Sequence, residues 1–98
     1  MVKIVWTDVS VEDLKEIFDY ISEDSIRYAS LTVSRIYHRA LLITINPNTG
    51  QIVPIFNNKN IRQILIGNYR IIYRIVNEFR VDILRVYHSA RSLKRNKI

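Results

Sequence analysis

The chain has 98 residues, 48% of them hydrophobic, a formal net charge of +6 and no cysteine. That length holds one small core, so a single domain over residues 1–98 is expected, and the apolar content excludes an intrinsically disordered chain. The composition also excludes a disulfide scaffold and a thiolate metal site, and no apolar run is long enough to cross a bilayer as a helix.

Lys3–Thr7, "KIVWT", reads as a short first strand, β-branched and aromatic before a polar break. Nothing in this N-terminal stretch has the pattern of a signal peptide. Thr7, Asp8 and Ser10 are all candidate N-caps for a first helix, and Ser10 with Asp13 resembles a capping box. Leu14, Ile17, Phe18 and Ile21 then fall on one face of that helix. Ser25 is placed to cap a second helix running from Ile26 to about Ile45, with Ala29, Val33, Ile36, Ala40 and Ile43 as its seam. The short link between the two predicts an antiparallel helical hairpin. Pro47, in "NPNTG", ends it.

Beyond Gly50 the period changes to that of strands. Ile61–Ile66, Tyr69–Val76 and Phe79–His88 are rich in Ile, Val and Tyr. Gly67-Asn68 is a two-residue hairpin signal of type II′, and Asn77-Glu78 a weaker one. The order β-α-α-β-β-β predicts an α+β fold: a small antiparallel sheet with the N-terminal helical hairpin packed on one face. The first strand should pair at an edge of the three-stranded meander. The other sheet face is expected to have nothing from this chain to cover it. A basic tail follows over about 89–98.

The charge is uneven. Residues 1–58 hold five Lys/Arg against seven Asp/Glu, and residues 59–98 hold ten against two. Such an asymmetry fits an acidic partner, protein or nucleic acid. Side chains alternate along a strand, so Tyr69, Ile71, Tyr73 and Ile75 share the core side while Arg70, Ile72, Arg74 and Val76 share the other. Arginine on such a face can pair with carboxylate or phosphate while its stem packs on apolar groups. In the last strand Val81 and Ile83 have one parity and Leu84, Val86 and His88 the other. Either both faces are partly buried or a bulge near Ile83–Leu84 flips the register. The faces of Arg80 and Arg85 stay open at this stage.

"GNYRIIYRI" followed by "VDILRVYHSAR" resembles the C-terminal half of the RelE/ParE superfamily of toxins of type II toxin–antitoxin modules. "VWTDVSVEDLKEIFDYI" is similar to the family's first strand and helix, and "INPNTGQIVP" to its loop after the hairpin, so the likeness runs from Ile4 to about Leu93. It implies a cytoplasmic toxin, neutralised by an acidic antitoxin that folds on binding, and forming a toxin dimer or a toxin–antitoxin hetero-oligomer. Two branches follow. ParE-like members inhibit DNA gyrase and are not known as nucleases; RelE-like members are ribosome-dependent mRNA endoribonucleases. Metal-free RNA cleavage needs a base, an acid and cations for the phosphorane charge.

Here Leu65 and Ile66 precede Gly67 where RelE-like enzymes carry an arginine, and the tail lacks tyrosine and histidine. The form is closer to the ParE-like, plasmid-stabilisation side, with a non-enzymatic role. A nucleic-acid-binding domain without toxicity is the remaining alternative.

If the chain is instead a metal-independent endoribonuclease, Arg62, His88 and Arg91 are its candidate groups. The candidate antitoxin- or target-binding residues are Arg70, Arg74, Arg80, Arg85, Arg91, Lys94 and Arg95. Each has a plainer reading. His88 suits a strand-end histidine bonded to a loop, and Arg91 could cap a first-helix carboxylate such as Asp13. Trp6 reads as a core anchor. His38 and His88 have no carboxylate at metal-ligand spacing, so neither metal nor cofactor is expected.

Overall fold

A computed structural model describes residues 1–89; the basic tail from Ala90 onward lies outside the described residues. β1 (Lys3–Trp6) leads into α1 (Asp8–Ser22) and α2 (Ile26–Leu41). After two 3-10 turns come β2 (Gln51–Ile52), a third 3-10 turn (Pro54–Phe56), and the meander β3 (Ile61–Ile66), β4 (Tyr69–Asn77) and β5 (Arg80–His88). The sheet order is β1-β5-β4-β3-β2. β1 takes the expected edge position, but it runs parallel to β5, so the sheet is mixed. The two-residue β2 makes a fifth strand that is too short to show a period.

Local chemistry sets the helix starts. Thr7 is the N-cap of α1, accepting from the Ser10 amide at 3.2 Å and donating its hydroxyl to the Ile83 carbonyl at 2.7 Å. The cap thereby pins α1 to β5. Ser10 and Asp13 do not form a capping box: the Ser10 hydroxyl donates to the Thr7 carbonyl, and Asp13 is spent elsewhere. Ser25 caps α2 by accepting from the Tyr28 amide at 3.0 Å. α2 ends in a 3-10 turn at Leu42–Thr44, so the predicted span to about Ile45 is helical almost throughout.

At the β3–β4 hairpin, Gly67 takes φ +55° and no non-glycine residue there has positive φ. That is the pattern of a type II′ turn.

The core lies between the helices and the sheet. Ile36, Ala40 and Ile43 meet Ile64, Ile71, Tyr73, Val81, Ile83 and Val86 there. Tyr69 and Ile75 pack against the same cluster, which is the predicted core side of β4. Val81 and Ile83 reach it together with Val86 because β5 carries a bulge. The register passes from Ile72↔Arg85 to Tyr73↔Ile83, leaving Leu84 as the extra residue and switching the parity.

The far face is not bare, contrary to the expectation from sequence. Val53 folds over it, and with Phe56 it packs on Ile72, Tyr87, Ile61 and Leu84. The physical reason is the Pro54–Phe56 turn, which carries the chain back across the sheet after β2; a two-residue strand gave no hint of it.

Candidate functional site

Alternation from the buried positions places the cations. Arg70 and Arg74 share the far face with Ile72. Arg80 and Asp82 alternate with buried Val81 and Ile83, and Lys3 with Ile4, so they join that face. Lys3 stands beside Arg80, and Arg74 beside Asp82, across strand pairs. The Arg80 guanidinium donates to both Asp82 carboxylate oxygens, at 2.8 and 3.1 Å, which raises its pKa further above the ordinary arginine value. Arg74 is exposed and Arg70 half-buried. The face is therefore basic, with an apolar centre under Val53 and Phe56.

Arg85 leaves that group. β1 ends opposite Ile83, so the β5 edge beyond it has no strand neighbour. Asp13 of α1 occupies that place. Its carboxylate accepts from the Val86 amide at 2.9 Å and from the Arg85 Nε and Nη2 at 2.8 and 3.0 Å. The bidentate bond to Asp13 raises the Arg85 pKa above its ordinary value, against the effect of burial. The guanidinium also lies 4.7 Å from the Tyr87 ring centre. Arg85 and Asp13 thus join α1 to the sheet.

Of the nuclease candidates, the two among the described residues, Arg62 and His88, do not converge. Arg62 faces Tyr73 across the β3–β4 pair, and its Nη1 donates to the Gly50 and Asn48 carbonyls at 3.0 and 3.3 Å. The Tyr73 hydroxyl sits in the same knot, donating to the Pro47 carbonyl at 2.6 Å and accepting from the Gly50 amide at 2.9 Å. Burial pushes the Tyr73 phenol pKa up. Gly50 is glycine for space: a Cβ there would stand 2.6 Å from the Tyr73 hydroxyl oxygen and 2.7 Å from the Gln63 carbonyl.

His88 is at the other end of the sheet, opposite Tyr69, with its ring edge-on to that tyrosine at 5.6 Å. Tyr69 and Tyr73 are four positions apart in β4, which is about 13 Å along a strand. Arg91, Lys94 and Arg95 fall outside the described residues. Trp6 is half-buried against the core and stacks on Tyr37 at 6.0 Å. His38 is exposed, with Nδ1 2.7 Å from the Ser34 carbonyl.

A family model described as "ParE toxin of type II toxin-antitoxin system, parDE" matches residues 4–93. The chain belongs to the ParE toxin family. Its structure is similar to a chain of the "Chromosomal ParDE TA system from P. aeruginosa", with a TM-score of 0.72 and 22% identity over 90% of this chain and 96% of that one. At that identity the likeness is one of fold. No curated protein sequence matches significantly.

In this ParE-family chain, sequence reading located the sheet-face arginines but passed over Asp13–Arg85 as a pair, because the two are 72 positions apart. It also passed over Arg35 and Arg39 of α2, which are exposed. A signal for those was available: no Asp or Glu occurs from Ser25 to Asn77. No helix among the described residues is long and apolar enough to cross a membrane.

Proposed function

We propose that this protein is a ParE-like toxin that acts in the cytoplasm by inhibiting DNA gyrase, and that a cognate acidic antitoxin neutralises it. The observation that carries this reading over an mRNA endoribonuclease is the separation of Arg62 from His88. One is tied to the carbonyls of Asn48 and Gly50, and the other stands at the opposite end of β4. A cleavage site must bring base, acid and cation to one phosphate. Binding a protein target asks only for a complementary surface. The basic far face, with Arg70, Arg74 and Arg80 around an apolar centre, is of that kind. Arg91, Lys94 and Arg95 extend the same cationic set in the sequence.

Purified protein added to gyrase and relaxed plasmid should block supercoiling, and mRNA on translating ribosomes should stay intact. Unimpaired supercoiling at a large molar excess of toxin would refute the reading. mRNA cleavage that is lost in Arg62→Ala would establish the nuclease instead.

A further inference from the structure

β5 outruns β1. The parallel pair ends at Trp6 opposite Ile83, and beyond it α1, not a strand, lies beside β5. Asp13 bridges the two at Val86. Past that bridge a hollow of about 510 Å³ lies between α1 and the end of the sheet that carries Tyr69 and His88.

α1 lines the hollow with Glu16, Ile17 and Tyr20, and the sheet lines it with Tyr69, Val86 and His88. Asp13 borders it as well. Spacings of three and four put Asp13, Glu16, Ile17 and Tyr20 on one stripe of the helix. Ile17 and Val86 belong to the core cluster, so they give the hollow an apolar floor. The rings of Tyr69 and His88 meet edge to face at 5.6 Å. Tyr20 is 76% exposed and Glu16 is exposed. Neither makes a side-chain hydrogen bond or ion pair among the described residues, so neither is explained by the fold.

The hollow is acidic in a basic protein. No lysine or arginine lines it among the described residues, although the chain carries a net charge of +6. Both Asp13 oxygens are taken, by the Arg85 guanidinium and the Val86 amide, and that ion pair is neutral. Glu16 leaves one negative charge. Tyr20 and Tyr69 add the negative faces of their rings. Burial raises the Tyr69 phenol pKa above its ordinary 10.0, with Tyr28 and Tyr20 adding to the rise, so this hydroxyl stays uncharged.

We propose that the hollow binds a small organic cation, an amine whose ammonium group sits among the Glu16 carboxylate and the Tyr20 and Tyr69 rings, and whose apolar body rests on Ile17 and Val86. An organic ammonium gains from ring faces and from one carboxylate together. A calcium or magnesium ion needs more oxygen ligands than one unpaired carboxylate supplies, and no metal-ligand cluster occurs among the described residues. An anion would meet Glu16 with no cation to offset it. The volume is that of a small-ligand site, and charge, rings and apolar floor all fall within it. This site lies on the helix side of the sheet, apart from the far-face cations, and does not rest on the toxin reading.

The test titrates the full chain with benzyltrimethylammonium and follows the backbone amides by two-dimensional NMR. Shifts should centre on Glu16, Tyr20, Tyr69 and His88 and saturate with a Kd of about 0.1–10 mM. Tyr20→Ala should weaken binding about 3- to 30-fold, and Tyr20→Phe, which keeps the ring face, about twofold at most. Glu16→Gln should weaken it about two- to fivefold, whereas Glu12→Gln, on α1 but outside the hollow, should leave it unchanged. These positions are exposed, and the same spectra establish that each variant is folded. The proposal is overturned if no saturable shift appears, if Tyr20→Ala and Glu16→Gln bind as the wild type does, or if benzyl alcohol or benzoate binds as tightly. Displacement by calcium at lower concentration overturns it in favour of a metal site. Tighter binding of Nα-acetyl-lysine methylamide overturns it in favour of a lysine side chain from a partner protein.

Discussion

Replacing Asp13 with alanine tests whether one buried carboxylate holds α1 to the sheet. The change removes the bidentate bond to Arg85 and the acceptor for the Val86 amide together. Deleting one partner of a buried pair costs about 3–5 kcal/mol. The Arg85 side chain keeps 17% exposure and its contact with the Tyr87 ring, so the lower end applies, about 3 kcal/mol. For a domain of this size each kcal/mol moves Tm by about 4–8 °C, so a fall of about 12–24 °C is expected. Asp13→Asn keeps an acceptor for Val86 but loses the charge, and should cost about half as much. Urea titration of Asp13→Ala, Arg85→Ala and the double variant gives the coupling, expected at about 1.5–3 kcal/mol. A loss under about 1 kcal/mol for Asp13→Ala, or strictly additive single effects, would refute the idea that this carboxylate replaces a missing strand neighbour.

The two glycines should fail for different reasons. Gly50→Ala drives a Cβ into the Tyr73 hydroxyl and the Gln63 carbonyl, costing about 1–3 kcal/mol through strain. Gly67→Ala meets nothing within 4 Å but must hold φ +55°, costing about 1–2 kcal/mol; denaturant midpoints of both, with Gly67→Asn as the less costly left-handed residue, separate steric from backbone strain. Tyr73→Phe leaves the Gly50 amide and Pro47 carbonyl without their partner and should cost about 1–3 kcal/mol at neutral pH. The pH dependence has a definite sign. Burial raises the Tyr73 pKa above its ordinary 10.0, so its contribution is complete below about pH 10 and is lost as pH climbs through the folded value. Melting curves between pH 8 and 11 should fall more steeply in the wild type than in Tyr73→Phe, and equal slopes would count against a buried neutral phenol.

The element order, the helix seam on Ala29, Ile36, Ala40 and Ile43, and the II′ turn at Gly67 could all be read from the chain. Each depends on neighbours a few residues away, through periodicity, capping and φ preference. So did the core side of β4, since alternation fixes Ile71 and Tyr73 against Arg70 and Arg74 once one face is buried. Three-dimensional structure decided the rest. The Leu84 bulge, one of two options open in the sequence, became definite only when Tyr73 was seen opposite Ile83.

Arg85 is bonded to Asp13 because β1 stops at Trp6 and leaves the Val86 amide in need of the acceptor that Asp13 supplies. Arg62 was drawn to the loop carbonyls of Asn48 and Gly50, and the part-buried Gly50 carbonyl has the same need of a donor. The sequence by itself thus determined which elements form and which faces they bury, because those are short-range matters. Which arginines are consumed inside the protein was decided by tertiary structure, because hydrogen-bond demand at a strand edge depends on which distant segment happens to end beside it.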